Sequence, residues 1–172
     1  MAYRENKQHR LYGYDYSQNG AYFITICTKN RTHYFGQIKD KTVILSEIGE
    51  LAKTALLQIP EVYPQATIEE WIIMPNHIHL IIAIQNTEIS KEYHSVIGLQ
   101  PLVKGSISSI INHFKGKVTK LCKQNKYEFV WQSRFHDHII RNEEAFNKIS
   151  EYILNNPANW DNDQDNLENL YM

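Results

Sequence analysis

A histidine pair framed by two apolar, β-branched runs constrains this chain more than any other feature. Residues 66–74 and 77–84 each read as a strand, and the Pro75-Asn76 pair between them is good turn chemistry. The junction runs Met74-Pro75-Asn76-His77-Ile78-His79-Leu80. Strand residues two apart face the same way, so His77 and His79 project together while Ile78, Leu80 and Ile82 anchor the opposite face in a core. Two imidazoles so spaced can share one metal ion. The plainer alternative is two ordinary histidines at a strand edge; the rigid apolar frame favours the metal.

The remaining pattern predicts an α+β fold, helices packed on an antiparallel sheet. Residues 21–28 read as a strand, and 37–39 with 43–45 as a short hairpin split by Asp40-Lys41. Ser46 caps a helix with Glu47 and Glu50 near its start; Ile48, Leu51, Ala52, Ala55, Leu56 and Ile59 repeat at helical spacing until Pro60 stops the run. Residues 85–103 read as an irregular loop, and 106–123 as a second helix with Ile107, Ile110, Ile111, Phe114, Val118 and Leu121 on one stripe. Segments 129–132 and 136–140 look like strand pieces. Asn142 caps a third helix, about 143–155, which Pro157 ends.

Composition narrows the class. The chain has 172 residues and 42% hydrophobic content, which suits one domain over 1–172, with a basic N-terminal arm (about 1–20) and an acidic tail (about 161–172). A net charge of -1 neither favours nor excludes nucleic acid, so that question rests on local patches. Cys27 and Cys122 lie far apart, which argues against a disulfide scaffold or cysteine zinc site and fits a reducing cytosol. The polar start lacks the apolar run of a signal peptide, and the stretch 78–84 is too short to span a bilayer. A cytoplasmic protein with no membrane partner is therefore expected. No GxxxxGK loop is present, and the calcium-like start at Asp161 fails because Asn166 stands where glycine is required.

Three further features carry chemistry. Tyr152 and Asn156 are four apart on the third helix and share a face. A tyrosine hydroxyl is a potential nucleophile, and an asparagine oxygen can ligate a hard cation. If that face meets the histidines, a metal, three protein ligands and a nucleophile come together; otherwise Tyr152 is a core aromatic. A second His-x-His, His136 and His138, leaves His138 open as a group supporting the ligands from behind, with His136 read as structural. Finally, 93–127 contains no acidic residue but holds Lys104, Lys115, Lys117, Lys120, Lys123 and Lys126, a local electropositive face suited to a phosphate backbone rather than merely to solvent. Arg134 and Arg141 flank the candidate site and could fork onto phosphates. Arg4, Lys7, Arg10, Tyr12, Tyr14 and Tyr16 form a basic, aromatic arm that stacks on bases or packs on the domain.

These pieces, in order, resemble the REP-associated tyrosine transposases, relatives of the single-tyrosine HUH transposases. The resemblance rests on Tyr14-Asp15-Tyr16, the 20–28 strand, Phe35-Gly36, the 74–80 histidine segment, Phe114-Lys115, Trp131-Gln132, the 138–142 segment and the 152–157 segment, and spans roughly the whole chain. It implies a ferredoxin-like or RRM-like sheet with the histidine pair on a central strand. It implies Tyr152 as nucleophile and His77, His79 and Asn156 as ligands of Mg2+ or Mn2+. Related transposases carry Gln where this chain has Asn156. The implied substrate is single-stranded DNA near hairpin-forming repeats. Family members include monomers and dimers with exchanged helices, so a homodimer stays open. The expected reaction is strand cleavage and rejoining through a 5′-phosphotyrosine, which needs no ATP because the covalent bond keeps the phosphodiester energy. Two other classes compete: a non-catalytic nucleic-acid-binding module, and a metal-dependent nuclease that uses water.

Overall fold

The computed structural model describes residues 14–86 and 103–160. Within them, strands β1 (Gly20–Cys27), β4 (Ala66–Met74), β5 (His77–Ile84) and β6 (His136–Ile140) form one antiparallel sheet in the order β4-β5-β1-β6. A separate hairpin pairs β2 (Gly36–Lys39) with β3 (Thr42–Leu45). Its two turn residues, Asp40 and Lys41, take φ of 50° and 60°, the left-handed pair that lets a two-residue turn follow strand twist. The α+β architecture is as expected.

Helices α1 (Glu47–Leu57) and α3 (Ile107–Gln124) begin on serine caps: Ser46 Oγ accepts from Gly49 N at 3.1 Å and Ser106 Oγ from Ser109 N at 3.3 Å. Helix α4 (Glu143–Asn155) begins on Asn142, whose Oδ1 accepts from Ala145 N at 2.8 Å. Beyond it a 3-10 turn, Asn156–Asn159, takes Pro157 at its start.

Alternation along β1 and β5 sorts the core into two layers. Tyr22, Ile24 and Ile26 with Ile78, Leu80 and Ile82 face α1 and α3, meeting Leu56, Ile110, Ile111, Phe114 and Val118. Phe23 and Ile81 face the other way, against Ile140 and the Ile149–Ile153 stripe of α4.

Two expectations need correction. Pro60 does not end helical structure: α1 stops at Leu57 and Pro60 enters a short helix α2, Ile59–Val62, because a missing N–H costs nothing in a first turn. Residues 129–132 are not a strand; one isolated bridge, Thr28 to Trp131, is all the pairing there. Phe129 and Trp131 instead turn inward and stack about Phe35, at 5.6 and 5.4 Å between ring centres. The Trp131 indole N–H donates to Lys115 O at 3.1 Å.

The loop expectation for 85–103 falls almost wholly outside the described residues, as do Arg4, Lys7, Arg10, Tyr12 and the acidic tail. Of the arm, Tyr14 packs edge-on against Tyr16 at 5.0 Å and against Tyr22, and Tyr16 lies tilted on Tyr22 at 6.0 Å. Among the described residues no helix is long and apolar enough to cross a membrane.

Candidate active site

The site lies at the sheet end of β5, next to β1, on the face covered by α4. His77 and His79 pair across the ladder with Cys27 and Thr25. Both imidazoles are buried, 7% and 0% exposed, with ring centres 4.5 Å apart. Each is tethered through Nδ1. His77 Nδ1 donates to Asn76 Oδ1 at 2.7 Å, since an amide oxygen only accepts. His79 Nδ1 meets Thr25 Oγ1 at 2.8 Å. These tethers set the rings and leave Nε2 of each as the edge for a metal, the arrangement usual for metal-bound histidine.

Electrostatics agree. Burial, with the nearby Arg31 charge, drives His77 down to about 3. Burial, His77 and Arg31 together hold His79 well below the usual histidine range. Both rings are therefore neutral near pH 7, the state in which imidazole ligates.

Helix α4 brings the phenol. Ile149 and Ile153 dock in the small apolar cluster beneath it, and Ser150 Oγ donates to Glu70 Oε2 at 3.2 Å. A β-bulge between Ile68 and Glu70 turns that carboxylate onto the α4 side, because one extra residue flips the alternation. Tyr152 then stands against the histidines: its hydroxyl is 3.4 Å from His79 Nε2, and its ring centre is 5.3 Å from that of His79. Phe23 supports both rings, stacked on His79 at 5.3 Å and edge-on to Tyr152 at 6.3 Å. Asn156 follows one turn later and is 2% exposed. The Tyr152 phenol and the two imidazoles thus meet within a single chain.

Two neutral imidazoles suit a borderline divalent ion, and Asn156, buried in the 3-10 turn just past α4, carries an amide oxygen of the kind a hard cation takes. Among the described residues no group of three His, Cys, Asp or Glu side chains converges as a metal site.

Other candidates sit elsewhere. His138 pairs with Phe23 on edge strand β6, with β1 between it and the histidine strand. Burial and Arg141 lower its pKa, opposed by Asp137. His138 and Arg141 line a groove of about 370 Å3 with Tyr16 and Asn142. Lys117, Lys120 and Lys123 ride on α3, which packs on the sheet face turned away from the histidines. Lys104 precedes that helix and Arg134 is exposed. Lys115 is committed to the fold: its Nζ donates to Gln132 O at 2.6 Å and lies 5.7 Å from the Trp131 ring centre.

Four residues at the site have no counterpart among those expected from the sequence. Thr25 and Asn76 orient the imidazoles, and a polar residue within an apolar strand and the asparagine preceding His77 were the available signals. Trp160 stacks on His77 at 6.1 Å and meets His33 at 5.6 Å. Arg31 reaches the site through space, with no local pattern to announce it.

Comparison with known proteins follows the same lines. Residues 16–156 match the family described as transposase IS200 like. A Haemophilus influenzae protein of uncharacterized function is 39% identical over 161 residues, covering 90% of this chain and 89% of its own length. A putative REP-associated tyrosine transposase of the same organism is 27% identical over 154 residues, covering 86% of this chain and 75% of its own. The solved structure of a REP-associated tyrosine transposase bound to a REP hairpin shares the fold, with a TM-score of 0.61 at 21% identity over 87% of this chain and 73% of that one. With four-fifths of its length matched and a histidine–tyrosine centre assembled within it, the chain belongs to the IS200-like transposase family.

Proposed function

We propose that this chain is a metal-dependent DNA transposase that cuts and rejoins single-stranded or hairpin DNA through a 5′-phosphotyrosine on Tyr152. The observation that carries the reading is the Tyr152 hydroxyl 3.4 Å from Nε2 of a buried, neutral His79. Hairpin DNA is carried over from the relative bound to a REP hairpin. The site of action is the cytoplasm.

His77 and His79, through Nε2, and Asn156, through Oδ1, would hold Mg2+ or Mn2+, which when bound polarises the scissile phosphate. The protein's own part is positioning and proton control. Nε2 has one lone pair, so the Tyr152 hydroxyl must leave it for His79 to act as a ligand; the departure frees the oxygen for phosphorus. A free tyrosine titrates near about 10, so the proton has to pass to water, or through water to His138 across β1. The Tyr152 oxygen then forms its bond to phosphorus as the P–O3′ bond breaks. The leaving oxygen takes up a proton as a 3′-hydroxyl, and the 5′ end stays on the enzyme. A 3′-hydroxyl reverses the same exchange and rejoins strands. Lys104, Lys117, Lys120, Lys123, Arg134 and Arg141 supply backbone contacts for the flanking DNA, with Lys115 as part of the supporting wall. Because phenol and imidazoles share one chain, the centre needs no second subunit, and a homodimer would serve only to hold two strands.

The test is one assay. A hairpin oligonucleotide with single-stranded flanks is incubated with protein and Mn2+, then denatured. A covalent protein–DNA adduct is expected, and Tyr152→Phe should abolish it. Cleavage with free ends and no adduct would mean a water-using nuclease; binding without cleavage would mean a recognition module.

A further inference from the structure

We propose that Arg31 holds a non-bridging oxygen of the scissile phosphodiester beside the His77–His79 pair. This deepens the transposase reading and rests on it.

The first support is how the backbone is built. Arg31 sits in a tight turn after β1, and that turn is fastened to the hairpin bend that leads into His77. Thr28 donates to Asn76 O twice, from N at 3.0 Å and from Oγ1 at 2.9 Å. Thr28 Oγ1 also reaches Thr32 O at 2.7 Å, and Lys29 N donates to Val130 O at 2.9 Å. Between these anchors Asn30 and Arg31 take φ of 54° and 55°. Two successive left-handed residues, neither glycine, cost about 1 kcal/mol or more each. The fold keeps this strained turn directly against the site.

The second support is an unanswered charge. The Arg31 side chain is half-buried, and among the described residues it has no carboxylate or hydrogen-bond partner. Yet its charge is felt by His77, His79 and Cys27. The imidazoles whose protonation it opposes are neutral and cannot compensate it. A cation partly withdrawn from water calls for an anion. A guanidinium fork matches phosphate oxygens, and the phosphodiester Tyr152 would attack is the anion this site is shaped to receive.

Arg31→Gly tests the assignment without breaking the turn, because glycine adopts this φ freely. Three measurements decide. Without DNA, Mn2+ affinity read by electron paramagnetic resonance should match or exceed that of the unaltered protein, since a like charge has left. In a Tyr152→Phe background, a single-stranded oligonucleotide across the cleavage site should tighten Mn2+ binding, and Arg31→Gly should erase the tightening, with Arg31→Lys restoring part. Adduct formation should fall by about 100-fold or more, as for loss of one donor to a developing oxyanion. The proposal is overturned if coupling and adduct rate stay within about threefold of the unaltered protein. It is equally overturned if DNA-free Mn2+ affinity drops together with the melting temperature, which would mark a structural role. Should the unaltered protein form no adduct, the tyrosine chemistry fails, while the Mn2+–oligonucleotide coupling still decides Arg31.

Discussion

The two faces of the four-stranded sheet, cut from the same strands, are built for opposite purposes. On one, Tyr22, Ile24, Ile26, Ile78, Leu80 and Ile82 close under α1 and α3; the Tyr22 hydroxyl is satisfied by Gln18 O at 2.9 Å. On the other, a small apolar cluster of Phe23, Ile81, Ile140, Ile149 and Ile153 gives way to buried polar side chains, Thr25, His77 and His79. Burial on the first face stabilises; burial on the second holds imidazoles neutral at a cost. One residue step along β5 changes the task, so adjacent positions should fail in different ways.

Neighbours on β5 give the largest contrast. His79→Ala should cut adduct formation by roughly 1000-fold, about 4 kcal/mol of transition-state stabilisation. Leu80→Ala should leave the folded fraction competent but lower unfolding free energy by about 3 kcal/mol, read from urea denaturation. If His79→Ala retained activity, or Leu80→Ala removed it without unfolding, the division between faces would break.

Acid sharpens the same contrast at smaller scale. His77 titrates near 3 when folded and near about 6.5 when unfolded. The unfolded chain takes up the proton first, so stability is full above about pH 6.5 and declines as pH falls from there towards the folded value. By pH 5, His77 alone should cost about 2 kcal/mol, and His77→Gln should flatten the dependence. A urea midpoint that does not move between pH 7 and pH 5 would contradict the burial described.

The smallest effect concerns the latch on α4. Ser150→Ala removes one hydrogen bond to Glu70 and should cost about 1 kcal/mol or less in stability. Its activity loss should appear in kcat rather than in DNA affinity, because the bond sets where Tyr152 stands and touches no substrate. A change in affinity alone would reassign Ser150 to the DNA surface.

Much of this was legible along the chain because the governing periods are local. The two-residue period placed His77 and His79 together, and the helical period placed Asn156 one turn past Tyr152. Caps at Ser46, Ser106 and Asn142 marked their helices because each side chain competes for a nearby N–H. Segment 129–132 misled because aromatic residues that favour strands also favour a plug around Phe35, and only tertiary packing chooses. Arg31 was hidden for a different reason. Its left-handed turn lacks glycine, and its nearness to His77 depends on hydrogen bonds spanning 48 residues.

The in-chain meeting of Tyr152 and His79 carries a stoichiometric consequence. On the proposed tyrosine chemistry, a polypeptide with one phenol in reach of its own imidazoles can be bonded to one DNA terminus at a time. Excising a segment, which severs two junctions, then demands either two copies acting together or one copy working through its cycles in turn, releasing the first terminus before it takes the second.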